Sequence, residues 1–343
     1  MDTFFQVMTY TSIAASYDVR VRIGDRPRAA LYSTPLRPCR PAILGSPLSA
    51  RHYESLLAWY FVSIWGSGFI ATKIGLQHAA PFTFLALRFA FGILCLIPIV
   101  LIYKPRWPEQ RSEFSHIIVA GLLMHTVHLG GSHYTQYLGM SAGITAVLLS
   151  IQPLLTAVIA GRWMGERLGP RQWLGIAIGL AGVTLIVWHK IDVREATLGA
   201  LLAVTVSLIG VTAGTLYQRV YCPAVDLRAA ALIQFAGNIV VLAPLAWWIE
   251  GAVVQWSWTL AAVIVFLVIG ASILAVNALH TLMRRGQATR VTSLIYLTPI
   301  FAVALELALF GVVPTAISLA GIVITCLGVA LVSWQHRPSP QAA

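Results

Sequence analysis

The chemistry available to this chain rests on very few side chains. Glu306 is the one carboxylate inside any long apolar run, and Lys73 and Arg88 are the basic residues that lie inside such runs, away from their ends. An ionised carboxylate in hydrocarbon costs at least a few kcal/mol, so Glu306 must be paired, neutral or facing water. A cluster of Glu306, Arg88 and Lys73 in one leaflet would serve coupling or gating, with protons as the coupling ion. The structural alternative is an ion pair, or a Lys73 ammonium that snorkels to the interface. His125, His128 and His133 share a single run. His125 and His128 stand three apart on one helix face, a spacing that invites a metal. No HExxH pattern and no neighbouring cysteine or carboxylate accompanies them, so bundle histidines are expected, with no metal and no other cofactor. His128 could still shuttle protons, because histidine titrates near neutrality.

A second set is polar but uncharged. Trp65, His128, Gln152, Thr298, Tyr296 and Asn277 are the expected substrate-binding residues, at or near the middle of their runs. Gln152 precedes Pro153 and Thr298 precedes Pro299; a proline removes a backbone donor and frees a carbonyl one turn back for ligands. Ser207 and Asn238 read as hydrogen-bonding glue between helices, and Tyr134 and Tyr137 as secondary candidates. The stretch Gly66-x-Gly68-x-x-Ala71 imitates a dinucleotide fingerprint but has no strand before it, so close helix packing explains it better. No Walker, G-x-S-x-G or zinc-deaminase pattern occurs.

The elements that must hold these residues are membrane helices. The chain is 58% hydrophobic and 10% charged, with mean hydropathy +0.79, against about 25% charged residues in a soluble domain. Ten runs reach the ~20 residues that a bilayer requires, near 57–76, 82–103, 117–138, 142–163, 171–188, 197–217, 230–249, 259–283, 291–311 and 315–334. Residues 1–56 differ: they are arginine- and proline-rich, and are expected to be a disordered basic extension. Cys39, Cys95, Cys222 and Cys326 are scattered, with neither disulfide nor metal-ligand spacing. Most of the lysines and arginines that give the net charge of +11 fall on one side of the runs, among them Lys104, Arg167, Arg228 and Arg284; Lys190 and Arg194 fall on the other. That asymmetry puts both termini in the cytoplasm and makes anionic lipid, not nucleic acid, the partner of the basic charge.

The chain also repeats itself. Thr145–Trp188 and Val291–Trp334 align without a gap and are identical at ten of 44 positions, where apolar composition alone would give roughly four. Pro153 falls on Pro299, Gly165 on Gly311, Gly175 on Gly321, and Gly182-Val183 on Gly328-Val329. Five helices per half is odd, so the second half enters the membrane from the opposite side. Two inverted copies around a midplane site are the architecture of alternating access.

These residues resemble the drug/metabolite transporter superfamily, in particular its EamA-type ten-helix transporters. The likeness rests on WGSGF at Trp65–Phe69, PFTFLALRFAFG around Arg88, LLSIQPLL around Pro153, and GERL at Gly165–Leu168 followed by G-x6-G-V, with LIYLTPIF and G-x6-G-V in the second half. It implies a secondary transporter of small organic metabolites, often an amino-acid or metabolite exporter. The family commonly carries Glu after the glycine in both copies; here Glu166 is matched by Val312.

The expected protein is therefore an all-α integral membrane transporter of ten helices in two inverted repeats, 57–188 and 197–334, in a bacterial-type inner membrane. It is not expected to be an enzyme. Its partners are a small-molecule solute and the lipid bilayer. The competing readings are a membrane enzyme using the His125/His128 face on lipid-linked or amphiphilic substrates and, within transport, a sugar or nucleotide-sugar importer.

Overall fold

The computed structural model describes residues 47–163, 169–192, 197–223, 225–275, 278 and 297–333. Ten helices run through them: α1 (Pro47–Gly75), α2 (Pro81–Tyr103), α3 (Arg111–Tyr137), α4 (Ala142–Arg162), α5 (Pro170–Asp192), α6 (Leu198–Tyr221), α7 (Leu227–Glu250), α8 (Trp258–Ala275), α9 (Thr298–Phe310) and α10 (Ala316–Ser333). No strand longer than an isolated bridge between Ala79 and Val254 occurs among the described residues. The first seven helices contain segments long and apolar enough to cross a membrane; the described parts of α8, α9 and α10 are shorter and equally apolar. Two boundaries differ from the sequence expectation. The helix α1 already begins at Pro47, so the limit drawn at residue 56 falls inside it, and α3 starts at Arg111 rather than near 117.

Local sequence explains where the helices begin and end. Pro81 opens α2 with its preset φ. Ser141, Thr197, Asp226 and Ser257 cap α4, α6, α7 and α8, each side chain accepting from a backbone N–H two or three residues on. Gly251 and Gly311 end α7 and α9 in the left-handed conformation that only glycine adopts without strain. Within α4 the first helical segment ends at Leu149 and the second begins at Gln152, because Pro153 has no N–H to return to Leu149. Pro299 stands likewise among the first residues of α9.

The packing of helix on helix carries the inverted symmetry. Adding five to each helix number exchanges the contact α3–α6 with α8–α1, and α1–α9 with α6–α4, and returns α2–α7, α4–α9 and α5–α10 to themselves; all of these contacts are present. The α5–α10 pair is the tightest. A Cβ on Gly182 would lie 2.5 Å from the Thr325 backbone nitrogen, and one on Gly175 would lie 2.8 Å from the Gly328 carbonyl oxygen. Small faces on both helices let the backbones touch, which supplies the van der Waals contact that holds helices together where lipid removes the hydrophobic drive.

One symmetric pair departs from α-geometry. Helix α3 contains a π-helical turn at Leu122–Val127, and its counterpart α8 contains one at Phe266–Ala275. The extra residue in such a turn costs hydrogen-bond geometry and recurs at functional sites.

Candidate functional site

Both π-helical turns face the same cavity. It measures about 160 Å³ and is walled by α1, α2 and α3 of the first half and by α7 and α8 of the second, about the size of the 150 Å³ cavities that hold benzene. From α1 come Trp65, Phe69 and Thr72; from α2, Arg88 and Phe89; from α3, His125, His128, Ser132 and His133; from α7, Phe235; and from α8, Leu267 and Ser272. The π turn in α3 carries His125, and the one in α8 carries Leu267 and Ser272.

The polar side chains of this cavity have different neighbours. Arg88 Nη2 approaches Ser272 Oγ at 3.5 Å, a long contact between the two halves. His125 lies between Phe89 and Phe235, with ring centroids 5.4 and 5.6 Å away. His133 packs on Phe84 at 5.6 Å, and its Nε2 stands 3.4 Å from Thr72 Oγ1. His128 is fixed most firmly. Its Nδ1 is 2.8 Å from Ser207 Oγ and 3.2 Å from the Ser207 carbonyl, while Ser207 Oγ donates to the His128 carbonyl at 2.7 Å. A carbonyl only accepts, so the hydrogen-bond network assigns the proton to Nδ1 and leaves Nε2 a bare acceptor for a ligand. Gly131 makes this approach of α3 and α6 feasible: a Cβ there would meet the Ala203 carbonyl at 2.6 Å.

The charged cluster expected from the sequence divides in two. Arg88 belongs to the cavity, whereas Lys73 Nζ pairs with Glu306 Oε1 at 2.6 Å outside it. Glu306 is 2% exposed and also accepts from Ala142 N at 3.0 Å and Gly143 N at 2.7 Å. Its carboxylate thus covers the N-terminus of α4, where free N–H groups and the helix dipole favour an anion. Lys73 Nζ lies 4.5 Å from the centre of the Phe310 ring. The reason this pairing could not be read from sequence is that residues 73, 142 and 306 meet only when α1, α4 and α9 pack together. A second carboxylate does the same work at the same end of the bundle: Glu250 accepts from Phe82 N, Thr83 N and Thr83 Oγ1 at 2.8–2.9 Å, covering the start of α2, where Ala80 offers no capping side chain.

The proline-marked residues are not what builds the cavity. Gln152 turns away to donate to Thr215 Oγ1 at 3.1 Å, tying α4 to α6. Thr298 is buried 5% exposed, and its carbonyl is 3.0 Å from where a Cβ on Gly66 would sit. In both halves the proline works as a helix start, and the segments it opens pack among α4, α6, α9 and α1. Asn277, Tyr296 and Glu166 lie outside the described residues. Asn238 accepts from Thr126 Oγ1 at 2.5 Å and Ser207 holds His128, both contacts between helices. Thr72, Phe89, Ser132, Phe235 and Ser272 were not singled out by sequence reasoning. Each is an ordinary small or apolar residue in an apolar run, and nothing in the pattern announces a π turn. Among the described residues, no three His, Cys, Asp or Glu side chains form a group that could hold a metal.

A helical bundle of two inverted halves, with a small, largely apolar cavity that carries a few polar side chains and is walled by both halves, defines a polytopic membrane transport protein. The chain belongs to the EamA-like transporter family, whose sequence profile matches residues 53–188 and again residues 197–334. It is similar to the Uncharacterized transporter YvbV of Bacillus subtilis (strain 168), at 26% identity over 84% of this chain and 94% of that one. It is similar to the Uncharacterized inner membrane transporter YedA of Escherichia coli (strain K12), at 28% identity over 76% and 83% of the two chains. A Probable amino-acid metabolite efflux pump of Salmonella typhimurium is 24% identical over 80% of this chain and 93% of its own. A crystal structure with 19% sequence identity superposes on 82% of this chain and 98% of its own with a TM-score of 0.57, a likeness of fold.

Proposed function

We propose that this protein is a secondary active exporter of a small organic metabolite, held in the cavity between α1, α2, α3, α7 and α8 and moved by alternating access. The carrying observation is that both halves wall the cavity, through symmetry-related π turns in α3 and α8. A site shared by two inverted copies is exposed to either side as one copy rocks against the other. Export is the direction suggested by the efflux-pump relative, and the positive-charge asymmetry supports an inner-membrane protein with cytoplasmic termini. On that orientation the Lys73–Glu306 pair and the Glu250 cap lie at the outer end, together with the Ala79–Val254 bridge and the Gln255 N–H to His78 carbonyl bond at 2.8 Å. They tie α1 to α8 and α9, α4 to α9, and α2 to α7, and are the contacts an outward opening has to release. Lys73 and Glu306 act in gating, and Arg88, Trp65 and His128 face the solute.

The test uses Ser132→Cys in a chain whose own four cysteines are replaced by serine. A membrane-impermeant maleimide should reach it from either face of vesicles of defined orientation, and labelling should block solute efflux. Labelling from one face only under all solute conditions refutes alternating access at this cavity.

A further inference from the structure

The cavity holds a fixed charge that no described carboxylate faces. Arg88 lines it, and among the described residues the hydrogen-bond partner of its guanidinium is the uncharged Ser272 hydroxyl, at 3.5 Å. No described residue lining the cavity is acidic. The chain contains twelve Asp and Glu, and among the described membrane-length segments and shorter apolar helices Glu306 is the one that lies away from a segment's ends. It is committed to Lys73 and to the N–H groups of Ala142 and Gly143. Residues 276–296, of which Ala278 alone is described, contain no Asp or Glu. A guanidinium stays protonated at neutral pH. Arg88 is partly buried, and a cation drawn from water without a counter-charge carries an uncompensated desolvation cost, which a counter-charge arriving with the solute would relieve.

We infer that the solute is an organic monoanion, a carboxylate with a compact apolar body; this rests on the reading of the cavity as the solute site. The guanidinium takes the carboxylate through two parallel hydrogen bonds. Trp65, Phe89 and Leu267 receive the apolar part. His128 Nε2, a bare acceptor because Ser207 holds the Nδ1 proton, takes a hydroxyl donor when the solute has one. A zwitterion would satisfy Arg88 and leave its own ammonium with no carboxylate to meet, and a cation would oppose Arg88 directly. The monoanion alone brings the cavity to zero net charge. Arg88 stays with the protein, so the charge that crosses is the solute's. Transport is therefore electrogenic, and an inside-negative membrane potential favours expulsion of the anion.

The experiment reconstitutes the full chain in liposomes and follows three radiolabelled probes of one carbon skeleton: 4-methyl-2-oxopentanoate, leucine and leucinamide. The anion should enter faster than either amine by roughly tenfold or more, the discrimination expected of an unpaired buried charge. With valinomycin and a tenfold potassium gradient directed inward, it should accumulate up to about tenfold, as a monovalent anion follows the potential. Arg88→Gln should reduce entry to that of empty liposomes. Arg88→Lys keeps the charge and should retain part of it, which controls for folding, alongside a gel-filtration profile matching the unaltered protein. Equal or faster entry of leucine or leucinamide, entry indifferent to the potential, undiminished entry with Arg88→Gln, or no entry of the anion each overturns the inference. If an amine enters and labelling of Ser132→Cys blocks it, the anion reading has failed while the cavity reading stands.

Discussion

Replacing Glu306 by Gln is the most informative single change, because it preserves size and removes one charge at a site where every partner is a donor. Oε1 meets Lys73 Nζ at 2.6 Å and Ala142 N at 3.0 Å; Oε2 meets Gly143 N at 2.7 Å. A Gln amide has one oxygen and one NH2. Whichever way it is placed, the NH2 faces at least one helix N–H, and the ammonium loses its counter-ion. Lys73 is 28% exposed, so water recovers part of its charge and the lost ion pair itself costs about 1 kcal/mol. A buried N–H turned against a donor adds about 1–3 kcal/mol. Glu306→Gln should thus destabilise the fold by about 2–4 kcal/mol. The assay is reversible unfolding by dodecyl sulfate in mixed micelles, followed by tryptophan fluorescence, for Glu306→Gln, Lys73→Met and the double variant. The two changes should couple by about 1–3 kcal/mol, the double variant being more stable than the sum predicts. A loss under about 0.5 kcal/mol, or strict additivity, refutes the assignment of Glu306 as the cap of α4 and partner of Lys73.

Three further outcomes are expected. Gly66→Ala should cost about 1–3 kcal/mol, since the new methyl would meet Phe301 Cδ1 at 2.9 Å and the Thr298 carbonyl at 3.0 Å, whereas Gly68→Ala, with 3.9 Å to Leu267 Cδ2, should change unfolding little. Glu250→Ala should destabilise by about 1–3 kcal/mol by exposing the first N–H groups of α2, measured in the same unfolding assay, and an effect confined to Glu306 would deny the second cap. Burial pushes the Cys222 thiol up to about 11, so at neutral pH it is protonated and should alkylate slowly, with a rate that keeps rising as the pH climbs toward that value; a rate that levels off near pH 8 contradicts the burial.

Much of the architecture follows from the chain alone. A hydrophobic fraction of 58% leaves too little charge for a water-soluble surface, the length of the apolar runs sets the helices, and a repeat of five elements can only be inverted. The glycine rows Gly175–Gly182 and Gly321–Gly328 show a helix pair whose backbones touch, because only the absence of a side chain permits the distances found. The placing of Arg88, Trp65 and His128 inside long apolar runs is likewise visible, and charged or amphipathic groups inside hydrocarbon need a partner or a cavity. Tertiary structure decided which partner each one has. Lys73 and Glu306 are 233 residues apart, and only the packing of α9 on α1 and α4 makes them a pair. Packing against other helices also gave Gln152 the Thr215 hydroxyl of α6 as its partner and set the Thr298 carbonyl against Gly66 of α1, because a proline that breaks a helix creates freed backbone without dictating what fills it. The walls of the cavity include residues of two π turns, in α3 and α8, which no local pattern of residues announces.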